Sequence, residues 1–178
     1  MKNVSGIRVK TSRVLLRGFG EGAFLSFNKL CSSASVRGAT NFPKCDDMFS
    51  NYESYKKLLE DSGRFIAVVD GKHFITVGAI ECVPFREDDG YAVFVTAGSS
   101  EECIEYTSEG LSAATGWLLE QSNVNRLVAE VNSDDKVSLK IFSDAGWGIL
   151  PMCDGVDCSH TTFCVFTGEY EGVEYEST

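Results

Sequence analysis

The sequence predicts a single α/β domain, with one mixed, mostly antiparallel sheet and helices on its faces. Three observations predict it. The 178 residues fit one domain of ordinary size, and no internal repeat or Pro/Ser-rich linker divides them. A composition of 43% hydrophobic and 24% charged residues is that of a globular chain able to bury a sizeable core. A run of antiparallel hairpins precedes a strand–helix–strand unit, which implies one mixed sheet of about six to seven strands under about four helices. Residues 13–167 form the expected core, 1–12 an N-terminal arm and 168–178 an acidic tail.

Each element follows from a local pattern. Arg13-Val-Leu-Leu-Arg17 is a short strand ended by Gly18 and Gly20. From Glu21 to about Ser35, Phe24, Leu25, Phe27 and Leu30 fall close to helical spacing. Residues 38–47 form a loop marked by Asn41-Phe-Pro43. Tyr52, Tyr55, Leu58 and Leu59 repeat at three and four residues, a second helix. Phe65–Val69 is a buried strand, and Asp70-Gly71 is the turn joining it to a strand from Phe74 to Ile80. Gly90–Thr96 is a third long strand.

Beyond Gly98-Ser-Ser100, Leu111, Ala114, Trp117 and Leu118 line one face of a helix from about Tyr106 to Gln121. Thr107 or Ser108 is placed to cap its start. Arg126–Val131 is a strand, and Val137, Ile141 and Phe142 give the stripe of a short helix ended by Gly146. Two strands close the order, the last near Thr161–Thr167 after a turn at Asp154-Gly155. Glu169, Glu171, Glu174 and Glu176 make the tail a solvated segment.

Charge and cysteine usage exclude several classes. Sixteen basic against 26 acidic residues give a net charge of −10, which disfavours nucleic-acid binding. No apolar run approaches a membrane span, and Met1–Thr11 lacks the apolar segment of a secretory signal. Seven cysteines without a dense regular spacing suit reduced thiols in a cytoplasmic setting. Cys153, Cys158, His160 and Cys164 could supply four zinc ligands. The close two-residue knuckle is missing, however, and small buried thiols are the plainer reading, so no metal is assigned.

Several strings together resemble a known superfamily. Arg13-Val-Leu-Leu-Arg17 is similar to a leucine- and arginine-bearing first strand. Tyr106-Thr-Ser-Glu109 followed by Leu111 resembles a Tyr-Ala-Thr-Glu-Ala-Leu helix start. Asp88-Asp-Gly90-Tyr91 is similar to an acidic-x-Gly-Tyr strand opening, and Ser138 stands eight residues before Gly146-Trp147 as in an Asn-x-x-Ser…Gly-Phe segment. From about Arg13 to Phe166 the chain resembles the GNAT superfamily of acyl-CoA N-acyltransferases, nearest the branch that acetylates ribosomal-protein N-termini. The resemblance implies the GNAT fold, acetyl-CoA as cofactor, and a protein N-terminus or small amine as acceptor. It places the cofactor along Phe94, Val95 and Thr96, against Cys103, Ile104, Glu105, Tyr106 and Thr107, and near Asp135 and Ser138.

In that superfamily a glycine-bearing loop lets backbone N–H groups approach the cofactor's pyrophosphate at a helix N-terminus. Here Ser99–Tyr106 lacks both loop glycines and carries Glu101, Glu102 and Glu105. Arg and Lys are absent between Arg86 and Arg126. The carboxylates either repel a pyrophosphate or point outward and stabilise the helix start. Asp88 matches the expected base and Glu81 is a second candidate, against the alternative of a solvated turn carboxylate for Asp88. Where a tyrosine often protonates the leaving thiolate stands Phe142, so Ser138 is the candidate donor, or else a helix N-terminal hydroxyl bonding locally. Asp135 replaces the resemblance's asparagine.

Other residues read as structural. His73 is expected at the surface, and His160 is the only other histidine, so no Ser-His-Asp relay can be drawn. Cys103 lies near a helix start that would favour its thiolate, opposed by the neighbouring glutamates. Trp117 and Trp147 look like core. Two functions stay open: an N-acetyltransferase, and a catalytically silent GNAT-like domain acting as a protein-binding, inhibitory or structural component. In the second, the negative charge steers the chain to a basic protein partner.

Overall fold

The computed structural model describes residues 4–36, 47–60, 62–85, 89–121, 124–150 and 161–167. Its elements in chain order are β1 (Arg8–Lys10), β2 (Val14–Gly18), α1 (Phe24–Ser33), β3 (Ala34–Val36), α2 (Met48–Glu60), β4 (Phe65–Asp70) and β5 (Thr76–Pro84). They continue as β6 (Gly90–Gly98), α3 (Glu101–Leu119), β7 (Arg126–Asn132), α4 (Lys136–Asp144), β8 (Gly148–Leu150) and β9 (Thr161–Thr167). All strands join one nine-stranded sheet, ordered β1-β2-β4-β5-β6-β7-β9-β8, with β3 paired to β6 beside that path. Every pairing is antiparallel except β6 with β7.

The expected mixed sheet under four helices is present, with more strands than expected. The additional β1 and β3 are three residues each. Three residues are too few for a period-two pattern to register. The expected arm joins the body: β1 pairs with β2, and Val4 and Ile7 are buried in the main core.

The sheet separates two apolar layers. On one face, Leu16, Val68, Ile80, Val93 and Val95 pack with Leu111, Ala114 and Leu118 of α3 and Ile141 and Phe142 of α4. On the other, Phe65, Ala67 and Val69 pack with Phe27 and Leu30 of α1 and Tyr55 and Leu58 of α2. All six residues of β4 are buried, as a central strand covered on both faces should be. Gly110 brings α3 close to the sheet: a Cβ there would lie 2.8 Å from Val68 Cγ1. Trp147 is in the main core, its indole N–H donating to Thr115 Oγ1 at 3.1 Å, and Trp117 packs partly buried against it.

Two boundaries, at the β4–β5 hairpin and at the start of α3, differ from expectation. The β4–β5 hairpin has a longer loop, because β5 begins at Thr76 and the left-handed residue is Phe74 (φ 58°), not Gly71. Gly71 answers a different need: its N–H donates to Arg13 O at 2.8 Å, and a Cβ would meet that oxygen at 2.9 Å. Helix α3 starts at Glu101, five residues before its expected start, and Ser100 caps it. Thr107 and Ser108, the expected caps, lie inside the helix, where their hydroxyls donate back to Cys103 O and Ile104 O. Gly146 ends α4 as expected, at φ 87°, with Trp147 N–H reaching back to Phe142 O.

Candidate functional site

The parallel pair β6–β7 sets the frame. The two strands are in register only over Gly90–Ala92 and Arg126–Val128, after which they part. Past that fork β6 stays fully paired to β5 on its other edge, with no register shift from Tyr91 to Ala97. Its forked edge is taken again at the far end, where β3 pairs Ala34 with Gly98 and Val36 with Ala97. Both edges of Ala97 are therefore engaged.

Strand alternation divides the expected cofactor positions on β6. Val95 turns into the α3 side of the core, while Phe94 and Thr96 face the α1–α2 side; Thr96 is buried and Phe94 half-buried. Glu81 is opposite Phe94 on β6 and opposite Phe65 on β4. The residue is 3% exposed, an acid set between two phenylalanine positions in mid-sheet. Burial, with the Glu81 charge added, pushes the neighbouring Cys82 thiol far up. Asp88, the other expected base, lies outside the described residues, as do Cys153, Cys158 and His160 of the zinc candidate. Cys164 is buried, and burial pushes its thiol up to about 11. Among the described residues no cluster of metal-ligating side chains occurs.

The connection from β6 to α3 is two residues, Ser99 and Ser100. Ser100 Oγ accepts the Cys103 N–H at 3.2 Å and Ser100 O accepts that of Ile104 at 3.1 Å. The Glu101 and Glu102 amides of this first turn have no intrahelical partner. Cys103 and Ile104 pack partly buried against the core, and Thr107 is buried over Gly78. Tyr106 Oη donates to Glu102 Oε1 at 2.9 Å, an acceptor carboxylate that raises the phenol above its ordinary value.

Arg13 binds this turn from outside. Its guanidinium is 3.2 Å from Glu105 and 2.5 Å from Glu109, and lies over the Tyr106 ring at 5.2 Å. The sequence reading missed this link. Glu105 and Glu109 stand four apart on one helix face, the signal by which a shared cation could have been sought.

At the start of α4, Asp135 caps the helix. Its Oδ1 accepts the Ser138 N–H at 3.0 Å and its Oδ2 the Ser138 hydroxyl at 2.6 Å. Ser138 is buried, with its proton directed to that carboxylate. Phe142 is buried against Trp147, ring centroids 4.8 Å apart. His73 is at the surface as expected, Nδ1 2.6 Å from Asp70 Oδ2.

No protein-family model matches the sequence, and no curated protein does. Solved structures match over nearly its whole length. A GNAT-family acetyltransferase from Bacillus anthracis superposes with a TM-score of 0.71 at 15% identity, covering 90% of this chain and 98% of that one. A protein assigned as a ribosomal-protein-serine acetyltransferase from Vibrio cholerae gives 0.68 at 11% identity, over 92% and 98%. A spermidine N-acetyltransferase from the same organism gives 0.63 at 11% identity, over 88% and 95%. At such identities the likeness speaks for architecture. The parted parallel pair, the helix that follows it and these superpositions establish that the chain has the fold of the GNAT acetyltransferases.

Proposed function

We propose that this chain is a catalytically silent GNAT-fold domain that engages a basic protein partner through the acidic start of α3. The observation that carries the reading is the two-residue passage from β6 to α3. With no glycine loop between strand and helix, the first turn presents Glu101 and Glu102, both exposed, beside its two open amides. Two unit charges 4 Å apart interact by about 1 kcal/mol in water and about 4 kcal/mol at an effective dielectric of 20. Against a pyrophosphate that energy is repulsive. Against a lysine or arginine it is attractive.

Further observations agree. The β3 pairing occupies part of the β6 edge to which an extended, amide-bearing arm would add as a strand does. The Ser138 hydroxyl is engaged by Asp135, and Phe142 offers no proton. The residues present therefore do not fit an acyl-CoA. The free thiols of Cys82, Cys103 and Cys164 suit a reducing, cytoplasmic setting. Among the described residues, no helix is long and apolar enough to cross a membrane.

One observation favours the second reading, N-acetyl transfer from acetyl-CoA to a protein N-terminus or small amine. Glu81 is a buried carboxylate one strand from the β6–β7 fork, a position from which a base could take an amine proton. Asp88 is the alternative base in that reading. Calorimetric titration with acetyl-CoA and CoA, beside a thermal-shift scan, separates the two. A ligand at 100 times its dissociation constant adds about 2.7 kcal/mol of stability, a readily seen rise in Tm. Silence at millimolar ligand is the expected result. Micromolar binding would sink the silent reading and make Glu81→Gln the next variant.

A further inference from the structure

We propose that Arg8 and Arg17 form a binding site for the phosphate group of a small molecule, at the sheet edge away from the acidic start of α3. The two arginines are register partners on β1 and β2, so their side chains leave the same face of neighbouring strands. Like charges directly opposed across a strand pair destabilise it. Among the described residues no carboxylate forms a salt bridge with either guanidinium. In a chain of net charge −10, two adjacent cations without an acidic partner among the described residues mark a place where an anion supplies the missing charge.

The surroundings form a cradle. Arg8 and Arg17 line a cavity of about 580 Å³ whose other walls are Ser5, Gly18, Phe19, Gly20, Gly22 and Ala23. Among the described residues no acidic side chain lines it. That volume lies within the range of small-molecule sites, larger than a bare phosphate needs. Arg8 Nη1 donates to the carbonyls of Ser5 at 3.1 Å and Ile7 at 2.6 Å, which holds the guanidinium and leaves Nε and Nη2 for a ligand. Arginine donors match phosphate oxygens in bidentate geometry, and two such groups suit a dianion.

The glycines of the turn point the same way. A Cβ at Gly20 or Gly22 would meet nothing within 4 Å, and neither has a positive φ. Packing and backbone conformation thus leave both positions open to larger residues. Bare backbone there gives a ligand close approach to the main chain entering the 3₁₀ turn Glu21–Ala23 and then α1. The Tyr55 phenol donates to Gly20 O and pins the turn from beneath.

The test is calorimetric titration of the full chain with inorganic phosphate and, separately, acetate, at ionic strength held constant with sodium chloride. Phosphate should bind, acetate should bind at least about tenfold more weakly, and Arg8→Gln or Arg17→Gln should each weaken phosphate about tenfold. Gly20→Val keeps both charges but fills the cradle and should weaken phosphate as well, which preserves the test if an arginine variant fails to fold. Glu101→Gln should leave phosphate binding at this edge unchanged. Absence of binding up to about 10 mM phosphate overturns the site. So does wild-type affinity in the arginine and Gly20 variants, and equal affinity for acetate overturns the phosphate class.

Discussion

Arg13 at the head of β2 and Glu109 on the third turn of α3 are joined by an ion pair of 2.5 Å, nearly a hundred residues apart in sequence. The same carboxylate accepts from the Arg13 amide and the Ser12 hydroxyl at 3.2 Å each, and from the Thr11 hydroxyl. One glutamate thus holds the whole β1–β2 turn against α3. Burial alone would raise its pKa, but the hydrogen bonds from Thr11 and Arg13 outweigh that and hold it below the ordinary value of 4.5. A depressed folded-state pKa contributes stability that is present above the ordinary value and lost as pH falls through the lower one. Urea unfolding of wild type and Glu109→Gln between about pH 6 and 3 should show it. The variant should be about 1–2 kcal/mol less stable near neutrality, and the gap should close with acid. A gap that stays constant with pH would refute the assignment.

Phe74 sits in the left-handed region at φ 58° with its ring 66% exposed. A bulky L-residue there bears a backbone cost of about 1–2 kcal/mol, and its ring recovers little by burial. Phe74→Gly should raise unfolding free energy by up to about 1 kcal/mol after glycine's own entropy cost. Equilibrium denaturation checks this, and a loss of stability would show that the ring carries contacts outweighing the strain.

Gly110 is the point where α3 meets the sheet. A Cβ at this position would lie 2.8 and 2.9 Å from the two Val68 methyls and 3.2 Å from Leu16 Cδ2. Gly110→Ala should therefore destabilise by about 1–3 kcal/mol despite alanine's better helix propensity. Adding Val68→Ala should recover part of the loss from overpacking, a coupling that a double-mutant cycle on Tm or urea midpoint would read.

Glu101, Glu102 and Glu105 carry the choice between the two functional readings. Changing all three to glutamine should weaken association with a basic partner and flatten its salt dependence, while easing CoA approach to the helix start. Pull-down of a histone-like basic protein at low and high salt gives the first readout, and CoA calorimetry the second. Unchanged partner binding in the triple variant would remove the electrostatic account. Since Arg13 pairs with Glu105, a modest loss of thermal stability is expected alongside.

Element order was legible in the sequence wherever an apolar pattern ran through two turns or five residues. Phe65–Val69 read as a buried strand because it is an unbroken apolar run, as a strand covered on both faces is, and α3's face read from Leu111, Ala114 and Leu118. Gly146 announced the end of α4 because a left-handed C-cap demands that residue. The absence of loop glycines, the acidic run and the replacement at Phe142 were also present in the residues themselves, since each concerns identity and not position.

Tertiary structure decided the rest. Strands of three residues acquire their identity from a partner, so β1 and β3 exist only because β2 and β6 offer open edges. The start of α3 moved to Glu101 because Ser100 closes the helix onto the end of β6, a competition between caps that local propensity ranks too finely to settle. The burial of Glu81, the union of Arg13 with Glu105 and Glu109, and the facing of Arg8 and Arg17 all join distant or separately patterned segments. Charges and hydrogen bonds act through space over a few ångströms, and only the folded chain sets which residues come within that reach.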